Sequence, residues 1–146
     1  MSCDLKFNGV NGEFSLENYR GKKIVLYFYP KDNTAGCTLE AIEFSALKDE
    51  FEKLGAVVIG VSKDSIKSHK NFIQKHNLEV ELVSDESLSI QEHFDVWKLK
   101  KMCGKEYMGT VRSTFIIDDK GNILKEFRNV KAKGHAQKIL EELRTL

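Results

Sequence analysis

The chain is poor in the residues that would announce a class by themselves. Cysteine occurs only at Cys3, Cys37 and Cys103 in 146 residues. An odd, widely spaced set is no disulfide framework, and without a Cys-x-x-Cys pair nothing indicates a zinc site or a dithiol oxidoreductase. An excess of one charge is also missing. The 23 basic and 22 acidic residues leave a formal +1, which argues against an electrostatic nucleic-acid footprint. No apolar run is long enough to span a bilayer, and the start, Met1-Ser2-Cys3-Asp4-Leu5-Lys6, lacks a signal-peptide core. The expected compartment is therefore a reducing cytoplasm. Repeats, low-complexity tracts and linkers are absent, so residues 1–146 read as one domain, long enough for a real core.

Proline occurs once, at Pro30, and it marks the stretch around which the rest is arranged. Before it, Ile24-Val25-Leu26-Tyr27-Phe28-Tyr29 is β-branched and aromatic throughout. That composition reads as a strand buried on both faces, stopped by a residue that cannot donate to a sheet ladder. After it, Leu39, Ile42, Phe44, Leu47, Phe51 and Leu54 recur at helical intervals up to Gly55, which predicts one helix with a buried face and a glycine stop. Pro30 to Cys37 is then a strand-to-helix turn, with Cys37 in or just before the helix's first turn. Unpaired N–H groups there favour an anion, and a thiolate is the nucleophilic form of cysteine.

Along the rest of the chain, Asn11-Gly12 between apolar residues predicts an N-terminal β-hairpin. Val57–Ser62 reads as a second buried strand. A helix capped by Asp64 or Ser65 follows, with Ile66, Phe72 and Ile73 inward. His69 and His76 lie on that helix; no carboxylate or cysteine nearby in sequence completes a metal set, and both read as solvated. Val80–Val83 is a short strand, and a short helix opens at Ser84-Asp85-Glu86-Ser87, where Glu86 suits its positive end. Val96 to Gly104, with Trp97 and three lysines, reads as a loop with one anchoring aromatic; a partner surface or a wall of the active site is the other reading. Thr114–Ile117 and Ile123–Phe127 form a hairpin, and Ala136, Ile139, Leu140 and Leu143 line a final helix. The order predicts an α/β fold: a central mixed β-sheet flanked by helices on both faces, with the N-terminal hairpin added.

The string Phe28-Tyr29-Pro30-Lys31-Asp32-Asn33-Thr34-Ala35-Gly36-Cys37-Thr38, with Glu40 beyond it, resembles the peroxidatic motif of peroxiredoxins. It looks like that of the peroxiredoxin Q branch, also called bacterioferritin comigratory proteins. Gly60-Val61-Ser62-Lys63-Asp64-Ser65 and Val111-Arg112-Ser113-Thr114-Phe115-Ile116-Ile117-Asp118 match in the same order and spacing. The resemblance covers nearly the whole chain. It implies a thioredoxin-like fold, although Val111-Arg112 stands where thioredoxin itself has a proline.

The resemblance implies a thiol peroxidase that reduces hydrogen peroxide and organic hydroperoxides without metal or other cofactor. Cys37 would be the nucleophile, with Pro30, Thr34 and Arg112 completing the active site. The Thr34 hydroxyl is expected to cap the turn and face the sulfur. The Arg112 guanidinium is expected to hold the thiolate and polarise the peroxide, and Glu40 to orient Arg112. Pro30 is expected to shield the pocket. Where relatives carry a resolving cysteine this chain has Ile42, or Phe72 and Ile73 on the next helix. Three routes stay open: Cys103 within the chain, Cys103 or Cys3 between chains, or an external thiol. Thioredoxin, glutaredoxin or a small thiol would supply electrons to a monomer or weak homodimer. The competing reading is a redox sensor signalling through oxidised Cys37.

Overall fold

A computed structural model describes residues 5–146, so Cys3 lies outside the described residues. The N-terminal hairpin is β1 (Lys6–Gly9) and β2 (Gly12–Ser15), followed by a 3₁₀ turn at Leu16–Tyr19. Strand β3 (Lys23–Phe28) leads through the Pro30 turn to α1 (Ala35–Ala46) and α2 (Lys48–Lys53). Then come β4 (Ala56–Ser62), α3 (Ile66–His76), β5 (Glu81–Ser84) and α4 (Ser89–His93). A separate hairpin, β6 (Trp97–Met102) and β7 (Lys105–Thr110), precedes β8 (Ser113–Ile117), β9 (Ile123–Phe127) and α5 (His135–Arg144).

Seven strands form one sheet in the order β2-β1-β5-β4-β3-β8-β9. Parallel pairing joins β3 to β4 and β4 to β5, and β8 runs antiparallel beside β3. Alternation along β3 divides the core. Val25, Tyr27 and Tyr29 face a cluster containing Cys37, Phe44, Phe51, Phe72 and Leu140, from α1, α2, α3 and α5. Ile24, Leu26 and Phe28 face Leu16, Ile90, Phe94 and Phe115, from the 3₁₀ turn, α4 and β8. The sheet is thus mixed and flanked on both faces, as expected.

Three local expectations need correction. The single helix from Leu39 to Leu54 is two, broken at Leu47 (φ −99°, ψ 8°). Seven residues of unbroken helix advance about 10 Å; the break sets the Phe44 and Phe51 rings 5.8 Å apart, both in the core. The loop expected at Val96–Gly104 is mostly strand. Its turn residues Cys103 and Gly104 both have positive φ (52° and 78°), the conformation of a type I′ hairpin turn. Finally, α4 starts four residues later than expected. The carboxylate at its amino end is Asp85, which accepts the N–H groups of Ile90 (3.1 Å) and Gln91 (2.9 Å); Glu86 does neither.

Candidate active site

Cys37 is the third residue of α1, after Thr34 at the cap position (φ −84°, ψ 154°). Its residue is 1% exposed. The first-turn N–H groups concentrate the helix's partial positive charge near the sulfur. Arg112 arrives from the segment before β8, where the β3–β8 pairing ends at Phe28 opposite Ser113. Its Nη2 lies 3.3 Å from Cys37 Sγ, and its Nη1 donates to Glu40 Oε1 at 2.6 Å. Gly36 eases the approach, since a Cβ there would crowd Arg112 Nη2 at 3.2 Å.

Glu40 is one helical turn beyond Cys37 and fully buried. Among the described residues only Oε1 is partnered; Oε2 has no hydrogen-bond partner there. Burial pushes its carboxyl up to about 7 against the pull of the Arg112 guanidinium. For Arg112, burial works against the charge, but Glu40 and Cys37 beside it hold the guanidinium above the ordinary arginine range.

Thr34 stands differently from what was expected of it. The Thr34 hydroxyl donates back to the Lys31 carbonyl (2.9 Å) and makes no cap bond. The residue is exposed, so the hydroxyl neither caps the helix nor bonds to the sulfur here. The backbone still does its part, with Thr38 N–H donating to Thr34 O at 2.9 Å. Pro30 is half-buried and lines a cleft of about 210 Å³ with Trp97, Lys100, Tyr107 and Met108 of the β6–β7 hairpin. Cys103 sits exposed at that hairpin's tip, a free thiol like Cys37.

A buried thiol under a guanidinium at a helix start suits attack on a small oxidant, and comparison with known proteins agrees. The family model described as AhpC/TSA family matches residues 2–126. Peroxiredoxin Bcp of Bacillus subtilis is 51% identical over 144 residues, covering 98% of this chain and 92% of that protein. The chain belongs to the peroxiredoxin family. Among solved structures, Xanthomonas campestris peroxiredoxin Q superposes with a TM-score of 0.93 at 43% identity, covering 98% of this chain and 91% of that one. Structures of a Xanthomonas campestris bacterioferritin comigratory protein, described for alkyl peroxide reduction activity and trapped intermediates, match with a TM-score of 0.93. They are 42% identical and cover 98% of this chain and 92% of that one. The chain is thus a peroxiredoxin of the Q/Bcp branch with the thioredoxin-like fold, and its reaction class is thiol-dependent peroxide reduction. Among the described residues, no helix is long and apolar enough to cross a membrane.

Two buried groups of this peroxiredoxin escaped sequence reasoning. His69 is not solvated but fully buried. Its Nδ1 lies 2.7 Å from Asp32 Oδ2, and its Nε2 donates to the Val83 carbonyl at 2.8 Å. The signal was present: His69 follows Ile66 by three residues and precedes Phe72 by three, on one stripe. Asp32, Asp64 and His69 bring ligand-type atoms within 4.8 Å of one another, carboxylates that local spacing along α3 could not reveal. Both acids already accept neighbouring N–H and O–H groups. His135 opens α5 with its Nε2 2.7 Å from Thr114 Oγ1. Burial, with Lys138 and Arg112 nearby, pushes it down to about 4, so the ring is neutral and a single hydrogen is shared between Nε2 and the hydroxyl.

Proposed function

We propose that Cys37 is the peroxidatic cysteine of this enzyme, reducing hydrogen peroxide and organic hydroperoxides. The observation that carries the reading is the Arg112 guanidinium 3.3 Å from the sulfur at the amino end of α1. The thiolate attacks the terminal oxygen of R–O–O–H. A sulfur–oxygen bond forms as the O–O bond breaks, and the departing alkoxide takes a proton to leave as R–OH. Sulfur is oxidised by two electrons to a sulfenic acid. Arg112, permanently charged and forked, holds the thiolate and draws charge off the peroxide as it builds on the leaving oxygen. Glu40 positions the guanidinium through the 2.6 Å bond. Pro30 walls the approach beside the hairpin cleft. Thr34 enters through its backbone as the first turn's cap residue, and its hydroxyl reaches the peroxide only on leaving Lys31 O. The activity described for the Xanthomonas campestris relative supports alkyl hydroperoxides as substrates.

The sulfenic acid condenses with a thiol, releasing water and forming a disulfide. We favour an external thiol: thioredoxin, glutaredoxin or a small thiol, in the cytoplasm. Cys103 remains the resolving candidate within the chain. Intact-mass analysis after one equivalent of peroxide, with and without a sulfenic-acid trap, separates the routes. An adduct in the wild type that Cys37→Ser abolishes, without any disulfide, fits the external route. A disulfide lost only in Cys103→Ser assigns resolution to Cys103. Peroxide turnover retained by Cys37→Ser overturns the assignment of Cys37.

A further inference from the structure

The turn that presents Cys37 is anchored from beneath by a polar cluster with no assigned role. Asp32 lies two residues after Pro30 and five before Cys37, and it is 4% exposed. Its Oδ1 accepts the Tyr29 hydroxyl at 2.6 Å, and its Oδ2 accepts the Ser68 hydroxyl at 2.8 Å. Its own N–H donates to Asp64 Oδ2 at 2.8 Å, and the Ser62 hydroxyl fixes the same oxygen at 2.7 Å. The fourth partner is His69. A backbone carbonyl only accepts, so the 2.8 Å contact with Val83 O puts a hydrogen on Nε2. Nδ1 then faces a carboxylate oxygen at 2.7 Å. Two bare acceptors would repel at that distance, so a proton must lie between Asp32 and His69, whichever atom carries it.

From this geometry we infer that the Asp32–His69 pair is the positioning device of the peroxidatic turn. It joins three elements to one loop: Tyr29 at the end of β3, Ser68 and His69 on α3, and Val83 on β5. The backbone reverses immediately after it, at Asn33 with φ of 63°, and enters α1 at Thr34. The pair thereby sets where Pro30 and Thr34 stand relative to the sulfur, without touching the reacting atoms. A buried pair in low dielectric is stiff when complete and costly when one member is missing. Loss of either member should therefore misplace the turn while Arg112, held from β8 and by Glu40, stays on the sulfur.

The inference rests on Cys37 being the peroxidatic thiol, which loss of its thiol to peroxide in the wild type, against a Cys37→Ser blank, checks separately. Asp32→Asn and His69→Gln are each compared with wild type in two single-turnover reactions of Cys37, with hydrogen peroxide and with iodoacetamide. A misplacement near 1 Å costs up to ~10²-fold in a positioned reaction. Each variant is expected to slow the peroxide reaction at least ~10-fold and the alkylation less than ~2-fold, because alkylation needs the thiolate but no oriented peroxide. The double variant is expected to be no slower than the worse single one, as for two members of one unit. Unchanged peroxide rates, or equal slowing of both reactions, overturn the inference. Should neither variant fold, Ser68→Ala, which removes one donor to Asp32 from a half-buried site, decides on the same two rates.

Discussion

Replacing Glu40 by glutamine isolates the electrostatics around Cys37. The carboxyl is buried, one oxygen is 2.6 Å from Arg112 and the other has no partner among the described residues. Burial raises it from an ordinary 4.5 to about 7. In the unfolded chain it ionises near the ordinary value. Between those two pH values the folded protein keeps a proton that the unfolded chain has released. Stability must then fall as pH rises from 4.5 to about 7 and level off above. At about 1.4 kcal/mol per pH unit the loss comes to about 3 kcal/mol, a large part of the ~5–15 kcal/mol that holds a domain together. Glutamine accepts from Arg112 without titrating. Urea unfolding under a thiol reductant, followed by the fluorescence of the single tryptophan, Trp97, is run on both proteins from about pH 5 to pH 8. The wild type is expected to lose about 2–3 kcal/mol relative to Glu40→Gln across that range, since part of the loss is complete by pH 5. Parallel profiles would refute the reasoning. A difference of opposite sign would show that the guanidinium outweighs burial.

Two further outcomes test other parts of the molecule. Arg112→Met is expected to slow the peroxide reaction of Cys37 by about 10²-fold or more, with an unchanged far-UV circular dichroism spectrum; stopped-flow rates equal to wild type would remove Arg112 from the site. Gly60→Ala places a methyl within 2.6 Å of Tyr27 Cζ and 2.9 Å of Leu82 Cδ2, in a core where Tyr27 is wedged between Tyr29 and Phe44. Overpacking of this kind costs about 1–3 kcal/mol, readable as a lower urea midpoint.

What the sequence made legible was local. Ile24 to Tyr29, the proline stop and the helical period beyond it place Cys37 correctly on α1, because each signal acts over a few residues. Contacts that join distant segments left no such trace. Glu40 and Arg112 are 72 residues apart, and only the matching Val-Arg-Ser-Thr-Phe string pointed to their meeting. His69 was read by polarity when its position on the apolar stripe of α3 was the better guide. The β6–β7 hairpin was hidden because its turn is Cys103-Gly104 rather than Asn-Gly, and its lysines looked like a solvated face. The break at Leu47 has no local marker at all; packing of Phe44 and Phe51 decides it.

The near-complete enclosure of Cys37 restricts what can reach it. The O–O–H end of a peroxide is little larger than water and can fit beside a guanidinium. A protein thiol cannot, since a disulfide brings two Cα atoms within about 7 Å with their side chains end to end. Whatever disulfide forms at this sulfur, from Cys103 or from another molecule, the groups that cover it have to move aside first. A catalytic cycle of that kind includes a local opening, and over-tightening the turn would trade faster oxidation for slower recovery.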